Sequence, residues 1–520
     1  MGSEGGRAAR WRAAVLKCLT AVALATGAYV AYAHRVTIHD RVEDIVAGER
    51  APDGTRSGGA RDEMAKDTPK GLFTAEKLFE RVLTVHARNA YGLAALADIE
   101  TQLAGAGVEG RASRAAELRA RAEARDIALP ERFEAHALAL LQEGNGAEAE
   151  SYVRALLARY PHSTGAPRLN DVLGHSLRAQ GRVREAREAF RKASGGAREA
   201  RFTVDLAEAL IDEGSFTEAI AAFDRALQVS PSHPRAQIGK ARALVALARE
   251  GRGDPSAARA LLEPVVQAPD AEMTPWLRAR ALAVRADARL VQGDATGASQ
   301  DAQAALAINP KLSLALKVRA LAVLARPDHP AAEEDLRAAI AADRFDASTY
   351  VDGSDALVAA GDLAAAARIL DAAAVAVPKS GRLSLASARV EERKGDLAAA
   401  QAALDQALKL DPSNAAAYLL QGRIAEKKRD FKAAAQSYAR ASQLRDDLPE
   451  PYARMGSLYL ATRQVTEAIR VFNEALARYR AAHAPRGVME AFYQDVHSSL
   501  GKAGERKLAA EWLKSARAER

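Results

Sequence analysis

The feature that most constrains this chain is a repeat of 34 residues. Gly361 and Gly395 stand 34 apart (395 − 361), and so do Pro378 and Pro412 (412 − 378). Unit starts at Ala279, Ser313, Ala347, Gly381, Ala415 and Pro449 then tile the sequence without insertion to Ala482. Segments that recur in register bury their apolar sides against their neighbours, so the molecule grows by addition rather than around one centre. That matters for a chain of 520 residues, because a single compact core stops growing at about 250–300.

The residue types at fixed places in the unit say what each unit is. The eighth place holds a small residue throughout: Ala286, Ala320, Ser354, Ala388, Gly422 and Gly456. The twentieth holds Ala298, Ala332, Ala366, Ala400, Ala434 and Ala468, and the twenty-seventh Ala305, Ala339, Ala373, Ala407, Ala441 and Ala475. Small side chains let two helix backbones approach, while Leu336, Leu370, Leu404, Tyr438 and Phe472 fill the space between. Gly293, Gly361 and Gly395, each followed by Asp, mark a bend in which Gly ends one helix and Asp caps the next. Pro310, Pro378 and Pro412 end the second helix of the pair. Apolar residues make up 48% of the chain but aromatics only 5%, so the core must be an Ala and Leu core, which favours helices.

Stretches such as "AYLLQGRIAEKKRDFKAAAQSYARASQL" and "PYARMGSLYLATRQVTEAIRVFNEALARY" resemble the tetratricopeptide repeat in their small, Gly, Ala, aromatic, Ala and Pro positions. The segments from Pro130, Leu173 and Leu206 belong to the same series, and the unit from Pro234 is stretched by "REGRGDPS", an elbow insertion. The resemblance implies an all-α, right-handed superhelical solenoid of helix-turn-helix repeats over residues 130–482, with degenerate helical repeats over 71–129 and capping helices over 483–520. It further implies a binder of peptides or helical segments of other proteins along a concave face, with no chemistry of its own.

The amino terminus adds a separate expectation. Residues Cys18 to Ala33 carry no charge, after a basic tail holding Arg7, Arg10, Arg12 and Lys17. Sixteen helical residues cover about 24 Å against a hydrocarbon core of about 30 Å, and Ala13 to Leu16 extend the span while Lys17 snorkels. Residues 13–33 are therefore expected to form a single-pass anchor in the inner membrane, with residues 1–12 inside and the repeats in the periplasm. Ala31-Tyr32-Ala33 also has the small-x-small form of a signal-peptidase site, which would release a soluble periplasmic adaptor or chaperone. Residues 34–70, polar and rich in Gly and charge, read as a flexible linker.

Composition and motifs exclude most chemistry. Lys and Arg number 74 against 67 for Asp and Glu, a net +7 with the signs interspersed, which is the pattern of solvated helix faces and not of a nucleic-acid binder. One cysteine, Cys18, rules out a disulfide framework or a cysteine-rich zinc site. No phosphate-binding glycine loop follows a strand, so no cofactor, metal or small-molecule substrate is expected. His162, Asp171 and His175 are the nearest approach to a catalytic group, with His175 expected to face outward beside Gly174 and no nucleophile near it.

If the family geometry holds, the second, fifth, ninth and twelfth residues of each first helix line the groove. From Ser313 these are Leu314, Lys317, Leu321 and Leu324, an aliphatic strip that either lies open to a partner or has Leu321 and Leu324 covered by the neighbouring unit; the following units contribute Asp355, then Arg382 and Arg389, then Arg423. An apolar strip followed by arginines suits an amphipathic helix with an acidic end.

Overall fold

The computed structural model describes residues 68–518 apart from 86, 88, 126–127, 161–162, 164, 197–198, 270–272, 325–329 and 482–485, together with 60, 63, 64 and 66. All regular structure among these residues is α-helical. The expected membrane helix and nearly all of the expected linker lie outside the described residues. Among those described, no helix is long and apolar enough to cross a membrane.

The helices follow the 34-residue ruler. First helices begin at Ser313, Ala347, Gly381, Ala415 and Pro449, each at the residue where the period starts a unit, and their partners begin at Pro330, Leu363, Leu397, Phe431 and Val465. The chain divides into two compact units. Residues up to Ala246, Pro255–Ala288 and Ala304–Pro310 form one; Leu247–Asp254, Arg289–Gln303 and Lys311–Arg520 form the other.

In the first unit, hairpins Ala90–Gly105 with Arg111–Glu123, Pro130–Gln142 with Gly146–Arg159, Ala166–Ala179 with Val183–Gly196, and Ala200–Glu213 with Phe216–Val229 stack in series, each first helix lying against the next. Pro69–Val85, which contains the "AEKLFERVL" segment, packs on Ala90–Gly105 through an edge-on Phe79–Tyr91 contact of 5.8 Å between ring centres. Ala60 and Met64, at the end of the stretch read as linker, are buried in this same cluster. In the second unit the hairpins from Ser313 to Ala481 stack likewise, and Arg486–Lys502 with Arg506–Ala518 follow the last of them. There Phe492, Tyr493 and Trp512 gather around Phe472.

The small places are helix crossings. Every alanine of the eighth, twentieth and twenty-seventh places is at most 1% exposed, and Ser354 is fully buried. The eighth place is matched in size to the side chain sixteen residues on, which comes from the partner helix. Gly456 faces Phe472, with a built Cβ 2.5 Å from the ring; Gly174 faces Phe190 at the same 2.5 Å, and Gly422 faces Tyr438. Where Leu336, Leu370 and Leu404 stand instead, the eighth place holds Ala320, Ser354 and Ala388. Aromatic volume on one helix is thus balanced by the loss of a Cβ on the other, as close packing demands.

The elbows form as their residues require. Gly361 and Gly395 have φ of 88° and 90°, in the left-handed region that costs other residues energy. Asp362 accepts from the backbone of Ala365, and Asp396 from Ala398 and Ala399, capping the second helices. In the last two repeats Arg429 and Arg463 occupy the corresponding places with φ of 60°.

Candidate functional site

The first helices of the first unit carry a continuous ladder of buried charge. Glu134, 1% exposed, accepts from Arg201 at 2.7 Å and from Arg168 at 2.9 Å, and Arg168 also lies 3.6 Å from the buried Asp98. On the next rung Asp205 accepts from Arg235, which also reaches Glu208 at 3.5 Å. Glu208 gathers Arg178 at 3.2 Å and Arg280 at 3.1 Å, and Arg178 continues to Asp212 at 2.6 Å. The ladder thus links residues from Ala90–Gly105, Pro130–Gln142, Ala166–Ala179, Ala200–Glu213, Pro234–Arg249 and Pro275–Val291. Buried charge is tolerated here because each group meets opposite charge on a neighbouring helix; removing one partner would leave the other stranded.

Burial sets the proton affinities along it, and neighbouring charge decides the direction. Burial pushes Asp171 well above the usual carboxylate range, and the nearby charge of Asp205 adds to the push. Burial likewise raises Asp98, with Glu134 adding to it. Burial opposes ionisation of Glu134, Glu208 and Asp205 as well, but the arginines outweigh it. Arg201 and Arg168 act on Glu134, Arg280, Arg235 and Arg178 on Glu208, and Arg235 with His175 on Asp205, so that all three are held below their ordinary values. Burial disfavours a charged His175, yet Asp205 and Asp171 prevail and its pKa is raised.

The residues expected from sequence occupy the corresponding face of the second unit, but not as an open apolar strip. Leu321 and Leu324 are only 6% and 8% exposed, and Leu324 packs with Tyr350, Val351 and Leu357 of the next repeat. Leu314 is half-buried. Lys317 is buried, donating to Asp352 at 2.9 Å and Ser348 at 3.2 Å. Asp355 accepts from Arg389 at 3.0 Å, and Glu392 from Arg423 at 2.7 Å. Arg382 adds its positive charge near Asp352 and Asp355. Each pair joins one repeat to the next, so acid and base alternate where an aliphatic groove followed by free arginines was expected.

His175 is a second correction. It does not face outward: its Nε2 lies 3.6 Å from Asp205 and 3.8 Å from Asp171, with its ring edge-on to Phe190. His162 lies outside the described residues. The ladder itself escaped the sequence reading, although the signal was present. Extended to the earlier units, the second and ninth places give Arg168, Arg201, Arg235 and Arg280, and His175, Glu208 and Arg242. The run of charge at the places that Leu314 and Leu321 hold in the unit from Ser313 is the mark that would have found it.

Family models find the repeat in parts of the chain. A tetratricopeptide repeat model matches residues 172–234, 351–400 and 385–449, and a second such model matches 210–282, so these stretches carry tetratricopeptide repeats. No curated protein matches the chain. Among solved structures, yeast Tom70 is 15% identical over 74% of this chain and 91% of its own, with a TM-score of 0.40. The APC/C hetero-tetramer Cut9–Hcn1 is 14% identical over 81% of this chain and 92% of the other, with a TM-score of 0.36.

Proposed function

We propose that this protein is a non-enzymatic interaction scaffold, tethered to the inner membrane by residues 13–33, that holds peptides or helices of other proteins along the first-helix faces of its repeats. The observation that carries the reading is the concentration of charged side chains on the first helices of each unit, Arg168 and Glu208 in the first and Arg389 and Arg423 in the second. Arg389 and Arg423, whose own side chains are 37% and 30% exposed, can exchange an internal carboxylate for one on a partner. Such recognition reads charge pattern and weakens with salt. Affinity capture from detergent-solubilised membranes, comparing the wild-type chain with Arg389→Glu/Arg423→Glu, tests it. Partners that stay bound equally well to the folded variant at low salt would refute a role for this face.

Tethering rests on the uncharged Cys18–Ala33 run behind four basic residues. A reporter active only outside the cytoplasm, fused after Lys70, should work, and one active only inside should fail. The reverse pattern would place the repeats in the cytoplasm. The small-x-small site at Ala31-Tyr32-Ala33 favours a second reading, a soluble periplasmic adaptor. Mass spectrometry of the mature amino terminus separates the two, since cleavage leaves a chain that begins at His34.

A further inference from the structure

One rung of the charge ladder differs from the rest. Glu134 and Glu208 meet guanidinium groups within hydrogen-bond distance; at Asp171, His175 and Asp205 an imidazole approaches two carboxylates from beyond it. The His175 Nε2 distances of 3.6 and 3.8 Å exceed the roughly 3.2 Å limit of a good hydrogen bond. The donor atoms of all three lie within 4.8 Å of one another. Asp171 is 3% exposed, and its Oδ1 has no hydrogen-bond partner. A buried carboxylate oxygen left unsatisfied is costly, and a bound cation would complete it.

We propose that Asp171, His175 and Asp205 form a binding site for one divalent transition-metal ion of the zinc class. Ligands about 2.0–2.2 Å from such an ion sit roughly 3.3 Å apart in a tetrahedral arrangement, so His175 has only a few tenths of an ångström to close toward either carboxylate. Asp171 and His175 are four residues apart on helix Ala166–Ala179 and project from the same face, while Asp205 comes from Ala200–Glu213 of the next repeat. One imidazole nitrogen with two carboxylates is a donor set for zinc, iron or manganese, whereas magnesium and calcium take oxygen ligands. The surroundings are already arranged as a second shell: Arg235 donates to Asp205, fixing its carboxylate, and the Phe190 ring holds the His175 imidazole from the side. An ion here would bridge two successive repeats and hold their first helices at a set spacing.

The test is isothermal titration of the full-length, chelator-treated chain with Zn2+ and, separately, with Mg2+, repeated on His175→Gln and Asp171→Asn, with circular dichroism to show which variants fold. The expected result is one Zn2+ per chain, no Mg2+ binding, a melting temperature raised by Zn2+, and at least a tenfold loss of affinity in whichever variant is folded. No saturable Zn2+ binding by the wild-type chain would overturn the proposal. So would undiminished binding by a folded variant, or Mg2+ bound as tightly as Zn2+. If neither variant folds, broadening of the His175 ring resonances by one equivalent of Co2+ in the wild-type chain decides: broadening supports the site and its absence removes it.

Discussion

Replacing Gly456 with Ala tests whether the repeat is held together by matched volumes. The added Cβ would sit 2.5 Å from Phe472, where ordinary contact begins at 3.4 Å, so at least 0.9 Å (3.4 − 2.5) must be found by moving one helix or the ring. The ring has little room: Phe472 is 1% exposed and lies edge-on to Phe492 and Trp512 at 6.5 and 6.1 Å. Overpacking of this kind costs about 1–3 kcal/mol, against a helix-propensity gain of roughly 1 kcal/mol for Ala over Gly. The net expectation is a loss of up to about 2 kcal/mol. Gly501→Ala is the control: Gly501 is helical and exposed, nothing lies within 4 Å of a built Cβ, and the change should stabilise by up to about 1 kcal/mol. Phe472→Leu alone leaves a cavity, but Gly456→Ala/Phe472→Leu recreates the Ala388 and Leu404 pairing found elsewhere in the chain. The double variant should therefore cost less than the sum of the singles by about 1 kcal/mol or more. Thermal and urea unfolding of the four chains supply the comparison. If Gly456→Ala is as mild as Gly501→Ala, or the two core changes simply add, the matching of volumes across the hairpin is not what holds it.

Three further changes probe other parts of the structure. Leu321→Ala and Leu324→Ala should each destabilise by about 2–5 kcal/mol, because both side chains are buried; unchanged melting with selective loss of partner capture would restore the open-strip reading. At the elbows, Gly395→Ala forces a side chain to φ of 90° and should cost about 1 kcal/mol, whereas Arg429→Gly should be neutral or stabilising; the opposite order of melting temperatures would contradict the elbow geometry. Glu208 is held well below its ordinary 4.5, so its contribution is present above about pH 4.5 and disappears as the pH falls through its native value. Glu208→Gln should lose about 3 kcal/mol at neutral pH and show a shallower fall of melting temperature on acidification, and an acid slope equal to that of the wild type would refute the assignment.

The hairpins were legible because their causes are local. A Gly at positive φ followed by a capping Asp acts within a few residues, and alanines at the eighth, twentieth and twenty-seventh places mark helix crossings wherever they fall in a 3.6-residue period. Hence the first helices begin at Ser313, Ala347, Gly381, Ala415 and Pro449, where the spacing alone puts them. The same period fixes which face of a helix Leu321 or His175 occupies. It does not fix what lies across from that face. Leu324 is buried because Tyr350 and Val351 of the next repeat come against it, and His175 turns between two carboxylates because Asp205, thirty residues on, is carried there by a different helix. Burial and ion pairing depend on the distance and tilt between neighbouring helices, which are set by side chains of both at once. The sequence by itself therefore determined the repeat, its elbows and its core alanines. Only the tertiary structure decided that the face expected to be an apolar groove is closed by packing and lined with paired charge.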